Sequence, residues 1–100
     1  MVFIETPNFT ADIQKHSAEA ELVELQKELI QDPTKGALIQ GSGGFRKVRM
    51  ARQGSGKSGG FRVIYYLITG DSILLTHLYA KSNQGNLTAA QLKVLKNIIE

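Results

Sequence analysis

An α+β fold, an antiparallel sheet with helices packed on one face, is predicted by three observations. Two helix-period segments fall before residue 33, three β-prone segments follow between residues 45 and 80, and a last amphipathic segment closes the chain. The order is β-α-α-β-β-β-α across a single domain, residues 1–100. A chain of that length buries roughly 60–70% of the surface its unfolded form exposes, so the fold requires no metal or disulfide staple.

Val2-Phe3-Ile4 is a short β-prone segment closed by Thr6-Pro7, after which Asn8 is placed to cap a helical turn or two running to about His16. From Ser17, a plausible N-cap, SAEAELVELQKELIQDP reads as an amphipathic helix. Glu19 and Glu21 sit in its positive first turn, Leu22, Leu25, Leu29 and Ile30 form the apolar stripe, and Asp32-Pro33 stops it. Residues 34–44 form a glycine-rich connection. Phe45 to Arg52 then alternates, with Val48 and Met50 to one side and Lys47 and Arg49 to the other. Phe61 to Ile68 is apolar on both faces apart from Arg62, as expected of a central strand. Gly70-Asp71 turns the chain into Ile73 to Ala80, with His77, Tyr79 and Lys81 sharing one side. Thr88 and Gln91 form a capping box, flanked by Leu87 and Leu92 as a hydrophobic staple, and open a helix whose stripe is Leu92, Leu95, Ile98 and Ile99.

Charge is strongly polarised along this order. Residues 1–32 hold seven acids against Lys15 and Lys27, a net of minus five. Between Asp32 and Asp71 there is no acid but seven cations: Lys35, Arg46, Lys47, Arg49, Arg52, Lys57 and Arg62. The overall charge of +3 conceals this. A basic run is often only a solvated face. Here Gly43, Gly44, Gly54, Gly56, Gly59 and Gly60 are interleaved with it, and glycine lets backbone N–H groups approach an anion closely. Basic side chains and glycines together point to a strongly negative partner, most plausibly nucleic-acid phosphate.

Several chemistries are disfavoured. Cysteine is absent, which removes disulfides, thiolate metal sites and a thiol nucleophile and fits a reducing compartment. His16 and His77 have no third ligand nearby in sequence, so no metal site and no cofactor is assigned. Residues 51–58, ARQGSGKS, satisfy a permissive phosphate-loop pattern, but Ser58 runs into Gly59-Gly60 and a strand rather than the helix that motif needs. The longest apolar run, Val63 to Ile68, is far short of a membrane span, and the N-terminus lacks the layout of a signal peptide. The expectation is a soluble cytoplasmic protein with no membrane partner. Tyr65 and Tyr66, mid-strand, are read as structural. Tyr79, near a strand end, is open to a base-stacking or proton-handling role, and Lys35 and Lys57 are read as phosphate grips.

The stretch from Gly36 to Gln91, with GGFRKVRMARQGSGKSGGFRVIYY and LLTHLYAKSNQGNLTAAQ at its heart, resembles the RelE/ParE superfamily of bacterial type II toxins, and specifically its HigB-like branch. The likeness covers essentially the whole chain. It implies a RelE-like fold and a ribosome-dependent mRNA endonuclease that cuts the messenger in the 70S A site, against rRNA, without a metal. It also implies a cognate HigA-like antitoxin with a helix-turn-helix domain. The family's basic residues on the first meander strand are matched by Lys47 and Arg49, the arginine opening the next strand by Arg62, and the lysine past the last strand by Lys81. Where many RelE members continue with an arginine and then a tyrosine, this chain has Ser82 and no tyrosine after Tyr79. The catalytic assignment is therefore Arg62 and Arg49 on the scissile phosphate, Lys47 or Lys81 transferring protons, and Tyr79 stacking on or orienting a base. Arg46, Arg52, Lys57 and Lys35 hold the surrounding RNA. A non-catalytic nucleic-acid-binding module and a ParE-like gyrase inhibitor are the alternatives.

Overall fold

The computed structural model describes residues 1–52, 60–80 and 87–99, and resolves them into a five-stranded sheet and three helices. Strands β1 (Val2–Glu5), β2 (Ala37–Leu38), β3 (Phe45–Met50), β4 (Phe61–Thr69) and β5 (Ser72–Ala80) lie in the order β1-β5-β4-β3-β2. β1 runs parallel to β5, and all other pairings are antiparallel. The α+β class and the antiparallel meander match the sequence expectation. β4, apolar on both faces, is the middle strand.

Helix α1 (Pro7–Lys15) begins two residues earlier than Asn8 would place it. Thr6 is the cap: its Oγ1 accepts from the Phe9 N–H at 3.2 Å, while Pro7 takes the first helical position, where a missing N–H costs nothing. Ser17 does not cap the second helix. It adopts φ +50 and closes α1, its N–H donating to the Gln14 carbonyl and that of Ala18 to Ile13, the paired bonds of a Schellman turn. Helix α2 (Glu19–Gln31) starts behind Ala18 without a side-chain cap, and its first-turn Glu19 and Glu21 lie in the field of the exposed N–H groups. β2 lies within the segment expected to be a plain connection.

Phe9 and Ile13 of α1 and Leu22, Leu25 and Leu29 of α2 pack on Val48, Met50, Phe61, Val63, Tyr65, Ile73, Leu75, Leu78 and Ala80. A bulge in β5 makes that set continuous. Leu75 pairs with Tyr65 and His77 with Ile64, which leaves Thr76 as the additional residue. Without it, Leu75 and Leu78 would fall on opposite faces. Its groups are satisfied from both sides: the Thr6 hydroxyl donates to the Thr76 carbonyl at 3.0 Å, and the buried Thr76 hydroxyl donates to the Ile64 carbonyl at 3.0 Å.

The third helix departs from the one-face expectation. α3 (Ala89–Ile99) covers the other face, where Leu95 is buried with Phe45, Ile64 and Tyr79, flanked by Ile39, Tyr66 and Leu87. Those strand positions are bulky and apolar and need a cover of their own. The predicted capping box is present: the Thr88 N–H donates to Gln91 Oε1 at 3.0 Å and the Gln91 N–H to Thr88 Oγ1 at 3.1 Å.

Candidate nucleic-acid interface

Strand alternation and register build the site. On the α3 face, β3 presents Phe45, Lys47 and Arg49, β4 presents Arg62, Ile64 and Tyr66, and β5 presents His77 and Tyr79. Arg49 is directly opposite Arg62, and Arg62 is directly opposite Tyr79, so the three form one row across adjacent strands. The next row is Lys47, Ile64 and His77. α3 buries Ile64 at the centre of that second row and leaves Arg49 exposed and Arg62 and Lys47 half-buried.

Two guanidinium side chains on directly opposed residues have Cβ atoms about 5 Å apart, an arrangement that destabilises a sheet unless an anion sits between them. Neither arginine forms an ion pair with a described residue. Glu19, Glu21, Glu24 and Glu28 belong to α2, which packs on the other face, and Glu28 pairs with Lys35 at the β3 edge.

Tyr79 is 7% exposed, its ring enclosed with Phe45, Ile64 and Leu95, so it offers no free face on which a base could stack. Among the described residues its buried Oη has no hydrogen-bond partner. Burial pushes the phenol pKa up, and the nearby Arg62 charge opposes that shift. An unpartnered buried hydroxyl is costly and uncommon, and here it ends a row of two arginines. His77, to which sequence gave no role, has its Nδ1 likewise buried and unpartnered. Burial lowers its pKa and favours the neutral ring, opposed by the Asp12 carboxylate of α1. Alternation placed His77 beside Tyr79, but only coordinates could show the orphaned nitrogen.

The remaining basic residues separate from the row. Arg46 shares a face with Val48 and Met50, and its Nη1 donates to the carbonyls of Gly36 at 2.7 Å and Thr34 at 3.2 Å. It fixes the 34–36 segment, and the expectation that it lies along an RNA surface with Lys47 and Arg49 is corrected by strand parity. Arg52 lies 5.6 Å from the Phe61 ring centroid, above a residue of the α1/α2 core. Lys35 pairs with Glu28 at 3.2 Å. Both line a groove of about 500 Å³ at the edge of β3 with Lys47 and Arg49, so Lys35 borders the row under carboxylate control. Lys57, Lys81, Ser82 and most of the phosphate-loop pattern lie outside the described residues.

Tyr65 is structural, as expected. Its buried hydroxyl donates to the Pro33 carbonyl at 2.8 Å and accepts from the Gly36 N–H at 2.9 Å. Gly36 is required there, since a Cβ would fall 2.8 Å from the tyrosine ring.

A small α+β sheet thus carries a cationic row on one face and packs the acidic helix α2 on the other. The family model described as RelE toxin of RelE / RelB toxin-antitoxin system matches residues 6–100, and the chain belongs to that family. It is thus a toxin whose counterpart is an antitoxin. Among the described residues no helix is long and apolar enough to cross a membrane.

Proposed function

We propose that the chain is a ribosome-dependent mRNA endonuclease that stops translation by cutting the messenger in the 70S A site, in the cytoplasm, without a metal. The observation that carries this reading is the Arg49–Arg62–Tyr79 row: opposed cations with no described counter-ion, ending in an unpartnered hydroxyl. In such a cleavage the 2′-oxygen attacks the adjacent phosphorus as its proton leaves, a phosphorane carrying additional negative charge forms, and the P–O5′ bond breaks with a proton delivered to the 5′-oxygen. Arg62 and Arg49 hold the non-bridging oxygens, and cations already in place at developing charge are worth most where water is excluded. Lys47 is two residues from Arg49 on the same strand, about 6.6 Å along the chain, and Lys47 or Lys81 carries the protons. Tyr79 acts through its hydroxyl, which orients the sugar or phosphate beside Arg62. The partner we assign is a helix-turn-helix, HigA-like antitoxin encoded beside this chain.

The test is to add the protein to a translating extract and map messenger ends, with Arg62→Ala in parallel. Cleavage dependent on translation and lost in the variant supports the proposal. Intact messenger with salt-sensitive RNA binding makes the protein a binding module. Inhibition of DNA supercoiling instead places it with the gyrase poisons.

A further inference from the structure

Beside Lys47 a groove of about 330 Å³ runs between β2 and the start of α3, walled by Ala37, Leu38, Ile39, Leu87 and Leu92 with Gln40 at its rim. None of these residues takes part in the cleavage scheme except Lys47. The volume is at the lower end of the roughly 300–1,000 Å³ typical of small-molecule sites, and the make-up is typical too: apolar walls with few polar groups.

Its position says what it holds. Ala37 is the direct strand partner of Lys47, and Ile39 and Leu87 flank the Leu95 cluster, so the groove lies on the same face as the Arg49–Arg62–Tyr79 row. Moving from Arg49 to Lys47 advances about 6.6 Å along β3, a step of the same order as the advance from one nucleotide to the next in an extended strand. A single strand whose scissile phosphate rests on the arginines runs past Lys47 and brings the base of its neighbouring nucleotide to the groove. The flat apolar faces of a base match Leu38, Ile39, Leu87 and Leu92, and the Gln40 amide carries both a donor and an acceptor for a base edge.

We infer that this groove is a nucleobase subsite, taking the base next to the cut and setting the sequence preference of cleavage. The inference rests on the endonuclease reading for its substrate, but it is tested separately. The full chain, methyl-labelled at Ile and Leu, is titrated with each ribonucleoside 5′-monophosphate, and the Leu38→Ala/Gln40→Ala double variant is carried both through that titration and into the translating extract. The expected result is saturable shifts at the Ile39, Leu87 and Leu92 methyls, about tenfold weaker binding in the variant, and a cleavage map altered at one nucleotide position beside the cut. Silent groove methyls, shifts produced by an antitoxin peptide and by no nucleotide, or an unaltered map with retained cleavage overturn it. If the wild-type chain cuts nothing while groove methyls still answer to nucleotides, the subsite stands and the endonuclease reading falls.

Discussion

The two faces of this sheet are built from alternate residues of the same strands, yet they treat polar groups in opposite ways. Toward α1 and α2, each hydrogen-bonding group near the core has a named partner: Arg46 on two carbonyls, the Tyr65 hydroxyl between Pro33 and Gly36, and Thr76 between Thr6 and Ile64. Toward α3, Arg49 faces Arg62, and the Tyr79 hydroxyl and His77 Nδ1 are buried without partners. A fold that satisfies one face so completely has the means to satisfy the other. Among the described residues that unmet polarity is confined to one surface, the surface on which we propose that RNA binds.

The sharpest way to break this comparison is to exchange roles between Arg49 and Arg46, three residues apart on one strand. Arg49→Ala is expected to lower messenger cleavage about 10²–10³-fold, the scale seen for one donor to a developing anion. It should leave the melting temperature equal to or slightly above wild type, because the opposed Arg62 is relieved of a like charge. Arg46→Ala is expected to do the reverse, costing about 1–2 kcal/mol in denaturant unfolding as two carbonyls lose their donor, with cleavage near wild type. Equal activity losses in the two variants would end the distinction between the faces. Adding phosphate should raise the melting temperature of wild type more than that of Arg49→Ala, since an anion that binds only the folded state stabilises it.

Next in size are the substitutions that probe the satisfied face alone. Gly36→Ala forces a Cβ to 2.8 Å from the Tyr65 ring and 3.0 Å from the Lys47 carbonyl, so one must yield, at about 1–3 kcal/mol. Tyr65→Phe leaves the Gly36 N–H and Pro33 carbonyl without the hydroxyl, a loss of similar size. Both are read by equilibrium unfolding, and a neutral result for both would mean that the 33–36 segment is not pinned as described.

Much of this was legible in the residues, for reasons that also mark where legibility ends. The capping box of α3 is a contact across three residues, so Thr88 and Gln91 announced it. β4 declared its central place by being apolar on both faces. Alternation placed Lys47 and Arg49 together, and the same alternation sets Arg46 with Val48 and Met50, although from sequence Arg46 is grouped with the residues that hold RNA. Other features depended on distant groups. The Thr76 bulge interrupts the two-residue period by one residue and is held by Thr6, seventy positions away. Ser17 has the side chain of a cap, and what decided against it was a left-handed φ fixed by the two bonds that close α1. β2, at two residues, is too short to carry a period. The covering of the second face by α3 became necessary only once Phe45, Ile64 and Tyr79 were brought side by side.

Tyr79→Phe separates the faces by a smaller but cleaner effect. The hydroxyl it removes has no partner among the described residues, so stability should stay level or rise by about 1 kcal/mol, while cleavage falls about tenfold or more. A parallel fall in stability would show that the hydroxyl has a structural bond after all, and the row would lose its third member.

The smallest expected effect is a dependence on pH, and its sign follows from the direction of the His77 shift. Burial holds the folded-state pKa below the ordinary value of about 6.5, with the Asp12 carboxylate opposing it, so between those two values the unfolded chain binds more protons than the folded one. The contribution of His77 to stability is therefore complete above about pH 6.5 and is lost as pH falls through the lowered pKa. Because the ring is only half-buried, solvent screening keeps the slope shallow. His77→Gln should flatten the melting temperature between pH 7.5 and 5.5 relative to wild type, while the Arg46→Ala chain, altered on the other face, keeps the slope. A slope that survives in His77→Gln would belong to another group, and one of opposite sign would mean that the ring is charged in the folded protein. The α3 face would then carry one more cation beside the arginine row.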